Sequence, residues 1–232
     1  MCSAATKPLE SLIRDHITDL QQDIPPSVTL MAVSKKKSAS CVRAAYDCGL
    51  RHFGESRIQE AVPKQKEVAD LSNLVWHFIG TLQSNKAKKA ITHFHWIHSV
   101  DSLKLAQRLD RLSQEENRRP NLCLQVKVLP DPHKSGWNID ELMAALPELY
   151  QLSHVAIRGL MVIPPLGLSP EETHQCFAKA ADLFTAIQCN SSNYWSQFDQ
   201  LSMGMSGDYQ EAIAAGSTMI RLGRTIFGER DQ

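Results

Sequence analysis

Apolar residues fall into short β-like runs separated by stretches of helical spacing, and this alternation continues along the whole chain. The runs at residues 28–34, 51–53, 75–79, 96–100, 122–128, 157–163, 200–202 and 218–222 predict about eight strands. Between them, Leu105, Leu109 and Leu112 recur on one helical face behind Asp101 or Ser102 as a cap. Ser169-Pro170-Glu171-Glu172 is a capping box with proline at the first helical position, and it leads into Phe177, Ala181, Phe184 and Ile187. Residues 8–22 add a helix ahead of the first strand.

About eight β/α units, with no long linker, low-complexity tract or internal repeat, predict one α/β domain over residues 1–232. The architecture expected is a single-domain TIM-type (β/α)8 barrel; an open doubly wound sheet is the alternative. A barrel of this kind places its chemistry at the C-terminal ends of the strands and phosphate after strands seven and eight.

Composition removes several classes of function. Lys plus Arg and Asp plus Glu number 25 each, so no global field attracts nucleic acid or an anionic membrane. No apolar run approaches a membrane span, and the first residues lack the apolar core of a signal peptide. The six cysteines are scattered without a C-x-x-C pair, which suits reduced thiols in a cytoplasmic protein.

Three segments carry candidate chemistry. Strand one alternates so that Met31, Val33 and Lys35 share a face; if that face is the barrel interior, Lys35 is an amine above an apolar floor. Burial favours the neutral amine that attacks an aldehyde, although Lys35-Lys36-Lys37 also reads as a solvated basic loop. The run from Leu201 to Asp208 is a small-residue turn opening onto a helix, and the run from Ile220 to Thr225 is a strand entering another glycine turn. Glycines there let the backbone approach an anion, and Ser206 adds a hydroxyl. His77 at the end of strand three could orient a ligand or simply pack. His93, His95 and His98 straddle a strand entry at the opposite face, without a carboxylate or cysteine to complete a metal set. In strand five Leu122, Leu124, Val126 and Val128 should face the helices, turning Lys127 inward as a rival or accessory to Lys35.

The ordered motifs then become recognisable. Ala32-Val-Ser-Lys35, Phe53-Gly-Glu-Ser56 with Gln59-Glu60, and His77-Phe-Ile-Gly80 with Leu82-Gln83 and Asn85-Lys86 are followed by Gly159-Leu-Met161. Leu201-Ser-Met-Gly-Met-Ser206, Gly216-Ser-Thr218, Arg221-Leu-Gly223 and Ile226-Phe-Gly228 complete the series. Together they resemble the pyridoxal 5′-phosphate (PLP) homeostasis protein family (YggS/PROSC). The segment from Lys127 to Trp137 is most similar to the cyanobacterial PipY branch.

The resemblance implies a PLP fold-type III barrel, similar to the N-terminal domain of alanine racemase, with the cofactor in a Schiff base. Carried over, Lys35 is the imine lysine, while Ser206 and the backbone around Gly223 and Arg224 form the phosphate cup. Arg221 faces the pyridine nitrogen, Met161 lies near the ring, and the Ser56 and His77 motifs complete the cofactor site. Ser56 stands where many members have Asn, and Lys127 stands near another position where many have Asn. An arginine at the ring nitrogen opposes its protonation and weakens the ring as an electron sink.

Two functions follow from different classes. The first is a non-enzymatic PLP carrier in vitamin B6 homeostasis, releasing the cofactor by transimination, with PLP and PLP-dependent apoenzymes as partners and a monomeric chain. The second is a small racemase; it would need a second domain and a tyrosine base, for which Tyr46, Tyr150, Tyr194 and Tyr209 offer no obvious strand-top position. A sugar-phosphate enzyme using the same lysine is the reading that ignores the resemblance.

Overall fold

The computed structural model describes residues 8–191 and 194–229. Eight strands close into a parallel barrel in sequential order. They are β1 (Thr29–Val33), β2 (His52–Glu55), β3 (Val75–Phe78), β4 (Trp96–Val100), β5 (Asn121–Val126), β6 (Ala156–Val162), β7 (Gln200–Met205) and β8 (Met219–Leu222). The helices are α1 (Leu9–Asp23), α2 (Ala39–Asp47), α3 (Ile58–Glu67), α4 (Ala87–His93), α5 (Leu103–Glu115), α6 (Ile139–Leu149), α7 (Pro170–Ser191), α8 (Tyr209–Ala214) and α9 (Arg224–Phe227). The open-sheet alternative is thereby excluded, since β1 pairs with both β2 and β8.

Period-two alternation sorts side chains into an outer core and an inner column. On β5, Leu122, Leu124 and Val126 join the main core under the helices, whereas Cys123 faces inward against Trp96 and Met161. The outward face of each strand is almost wholly aliphatic or aromatic, as with Phe53, Trp76, Ile97, Leu160 and Ile220. Each such side chain stabilises the barrel by ~1.5–3 kcal/mol. The inner column is different. His77, His98, Ser202 and Arg221 are all buried there, so each must find a hydrogen-bond partner inside the barrel.

Local signals set the helix starts. Ser169 Oγ accepts from the Glu172 amide at 3.2 Å, and Glu172 Oε2 accepts from the Ser169 amide at 2.8 Å, the reciprocal pair of a capping box. Ser102, not Asp101, caps α5 through the Leu105 amide. Helix α1 buries Ile13, Ile17 and Leu20 against α2 and α9, and His16 Nδ1 lies 3.0 Å from the Ile226 carbonyl oxygen.

Two glycines permit close approaches that no other residue would. A Cβ on Gly159 would stand 1.7 Å from the Gln200 carbonyl oxygen, so β6 and β7 can meet only without one. Gly204, at φ +93°, lets β7 bend where its register against β8 shifts, and its missing Cβ leaves room for Ala212. β7 runs to Met205 instead of ending near Ser202, so residues 203–205 of the expected turn belong to the strand.

Candidate cofactor site

The C-terminal strand ends enclose a cavity of about 560 Å³. β1 contributes Val33 and, two residues beyond, Lys35; β6 contributes Met161 and Ile163; β7 leads to Met205 and Ser206; β8 supplies Arg221 and then Gly223 and Arg224. The β6–α7 loop, from Pro164 to Leu168, forms the rim, and Leu166 at its tip is 92% exposed. Lys134, ion-paired to Asp131 at 3.2 Å, donates to the Pro164 carbonyl and ties this rim to the β5–α6 loop.

Lys35 sits on a backbone fixed from behind. Lys64, from α3, donates to the Ser34 carbonyl at 2.7 Å and to Glu55 Oε1 at 2.6 Å, while the Ser34 hydroxyl donates to the same oxygen at 2.7 Å. The Glu55 side chain is fully buried and that of Lys64 nearly so. A buried pair of this kind contributes little net stability but locks geometry, because either partner alone would be an uncompensated charge. On the other side Lys36 adopts a left-handed conformation, φ 62°, and turns the chain sharply after Lys35.

Opposite lies the small-residue turn. Ser206 Oγ accepts from the amides of Gly223 and Thr225, both at 3.4 Å, so the β7 turn and the start of α9 converge on one hydroxyl. Met205 N donates to Asp208 Oδ1 at 2.5 Å, which closes the turn into α8. Burial raises the Asp208 carboxyl above its ordinary value. Arg224 lines the wall, and its mostly exposed side chain stands 4.0 Å from Glu229.

Among the described residues that line the wall, Arg221 is the one buried cation. Its NH1 donates to the Ser202 carbonyl at 2.7 Å and the Ser202 hydroxyl at 2.9 Å, and its NH2 donates to the Val162 carbonyl at 3.0 Å. Burial lowers its pKa to about 10, which still leaves it charged near neutral pH.

The structure brings six of the expected residues to one cavity: Lys35, Met161, Ser206, Arg221, Gly223 and Arg224. Ser56 and His77 do not line it. Ser56 lies against Gly80, where a Cβ would stand 2.1 Å from the Ser56 carbonyl oxygen. His77 is fully buried deeper in the barrel, stacked on Trp96 with ring centroids 5.6 Å apart, and both its nitrogens meet other imidazoles. Lys127 is also outside the lining; its amide donates to the Trp137 carbonyl at 2.9 Å just past the end of β5.

The three histidines grouped by sequence separate in space. His93 ends α4, His95 Nδ1 accepts from the Trp76 amide at 3.0 Å, and His98 points into the barrel centre. Among the described residues no group of three or more His, Cys, Asp or Glu side chains is placed to hold one metal ion. Sequence reasoning also passed over Ser202, His52 and the rim loop. The first two were legible only as inward positions of their strands.

The wall carries a primary amine, a hydroxyl held by two backbone N–H groups, an apolar Met161 face and a guanidinium with N–H bonds to spare. These match the aldehyde, phosphate, ring and ring nitrogen of PLP respectively, so the residues present fit that cofactor.

Comparison with known proteins agrees with this chemistry. Residues 10–231 match the family model of the alanine racemase N-terminal domain. The chain is 53% identical over 207 residues to a pyridoxal phosphate homeostasis protein from Synechocystis sp., covering 89% of this chain and 94% of that one. It is 42% identical to the Escherichia coli protein of the same name, covering 89% and 88%. The structure of PipY from Synechococcus elongatus with PLP bound superposes with a TM-score of 0.89 at 52% identity, covering 93% of this chain and all of that one. An alanine racemase from Clostridium difficile, 12% identical, shares the barrel with a TM-score of 0.73 over 96% of this chain and 58% of its own. The chain therefore belongs to the pyridoxal phosphate homeostasis protein family.

Proposed function

We propose that this protein holds PLP as a Schiff base on Lys35 and releases it by transimination, acting in intracellular PLP homeostasis without a dedicated reaction of its own. The observation that carries the reading is the meeting of Lys35, the Ser206 turn and Arg221 on one cavity wall. The description of the S. elongatus relative as PLP-bound supports the same ligand.

Each residue has a role that its surroundings favour. Lys35 condenses with the aldehyde, losing water, and the Ser34–Glu55–Lys64 network keeps its backbone in place. Ser206 and the backbone around Gly223 and Arg224, on the same wall, receive the phosphate. Arg221, a pure donor, accepts only an unprotonated ring nitrogen as partner. PLP supplies an electrophilic aldehyde and a conjugated ring; a ring nitrogen left unprotonated is a poor electron sink, which suits storage over carbanion chemistry. Among the described residues no tyrosine of this chain lines the cavity.

The experiment is the visible spectrum of purified protein with added PLP, before and after borohydride, for wild type and Lys35→Ala. An imine band in wild type that borohydride abolishes while leaving the pyridoxyl group covalently attached, and that the variant lacks, is expected. An imine band in Lys35→Ala whose reduction likewise leaves the pyridoxyl group attached would move the anchor to another lysine. No band in either protein would remove PLP from the account.

A further inference from the structure

Beneath the cavity a continuous line of polar side chains crosses the barrel. Arg221 NH1 meets Ser202 Oγ at 2.9 Å, and Ser202 Oγ lies 3.1 Å from His98 Nδ1. His98 Nε2 is 2.9 Å from His77 Nδ1, and His77 Nε2 is 2.9 Å from His52 Nδ1. Ser202, His98 and His77 are fully buried, and His52 at the far end is partly exposed.

The donors in this line are determined by its first member. A guanidinium can only donate, so Ser202 Oγ accepts from Arg221. The Ser202 hydroxyl hydrogen then needs an acceptor of its own, and at this fully buried position its remaining neighbour is His98 Nδ1. His98 is neutral, because burial first and the Arg221 charge second lower its pKa to about 3. Its single ring hydrogen must therefore be on Nε2, which donates to His77 Nδ1. His77 is neutral for the same leading reason, burial, and donates in turn from Nε2 to His52 Nδ1. Reversing the line would aim His98 Nδ1–H at Ser202 and leave the serine hydroxyl hydrogen without a partner.

We infer that Ser202 and His98 are positioning residues of the cofactor site, forming with His77 and His52 a one-directional hydrogen-bond chain that fixes how Arg221 faces the cavity. Three of the five guanidinium N–H bonds go to Ser202 and Val162. The two that remain, on Nε and NH2, are those offered to a ligand acceptor. Ser202 can serve Arg221 as an acceptor in one orientation only because His98 takes its hydrogen. This inference rests on the reading that Arg221 faces the ring nitrogen of PLP.

Two measurements test it, one of them independent of the cofactor. In ligand-free wild type labelled with ¹⁵N, long-range ¹H–¹⁵N correlation of the imidazoles should show His52, His77 and His98 all protonated on Nε2. An Nδ1–H signature on any of the three overturns the directionality. The second uses PLP as probe on His98→Leu and His98→Asn, whose side chains share the same branched heavy-atom skeleton. Asn places an amide oxygen near the position of Nδ1 and can still accept from Ser202; Leu cannot.

His98→Leu should raise the half-saturating PLP concentration about tenfold and shift the absorption maximum, with His98→Asn within about twofold of wild type. Equal losses in the two variants, or wild-type behaviour in both, would overturn the positioning role. If wild type itself forms no PLP band, the cofactor reading fails while the tautomer result still decides the chain.

Discussion

The buried imidazoles make stability depend on pH in a way that a single substitution can isolate. His77 and His98 are neutral in the folded protein, with pKa values below the ordinary 6.5, that of His98 at about 3. The unfolded chain takes up protons on these rings first, so their contribution is fully present above 6.5 and is lost as pH falls toward the folded values. Each ring held neutral and exposed on unfolding costs ~2 kcal/mol of stability between pH ~7 and pH ~5, and the two together ~4. His77→Phe keeps a ring stacked on Trp96 but cannot titrate. It should lose ~1–3 kcal/mol at neutral pH, because His98 Nε2–H loses its acceptor. Its further loss on acidification should then be ~2 kcal/mol smaller than that of wild type. Urea denaturation of both proteins at the two pH values measures the difference directly. If His77→Phe loses as much stability on acidification as wild type does, the imidazole is not held neutral and the reasoning fails.

Other expectations concern packing and the site. Gly159→Ala drives a Cβ into the Gln200 carbonyl and should destabilise the β6–β7 seam by more than ~3 kcal/mol, read as a lower urea midpoint. Glu55→Gln strands the Lys64 ammonium and should cost ~3–5 kcal/mol, whereas the double variant with Lys64→Met should cost clearly less than the sum of the two single variants. Ser206→Ala should raise the half-saturating concentration of PLP about tenfold while leaving that of pyridoxal, which lacks the phosphate, within about twofold. Equal losses for both ligands would place the phosphate elsewhere.

The outer half of the fold was legible because it depends on local pattern. Leu122, Leu124 and Val126 alternate on β5 as a helix-covered strand requires, and Ser169 and Glu172 are both ends of one capping box. The Lys35 and Ser206 positions were legible for a similar reason: each follows a strand end where a barrel places its site.

The inner column was not legible, because its logic is long-range. His98 meets Ser202 across 104 positions, and nothing local separates it from His93 and His95. Lys64 and Glu55 look like ordinary charges on a helix and a strand end until the fold buries them together behind Lys35. The position of His77 at a strand end left two readings open, a ligand contact and simple packing, and the fold places it outside the cavity lining. It is instead one layer deeper, where a neutral imidazole bridges two others.

Covalent attachment of PLP to Lys35 is the proposal on which the other site roles depend. The most direct test is to load wild type with PLP, reduce with borohydride, digest, and map the modified lysine by mass spectrometry. A pyridoxyl-phosphate adduct on Lys35 alone is expected at stoichiometric loading. An adduct on Lys36, Lys127 or Lys134, with Lys35 unmodified, would contradict it.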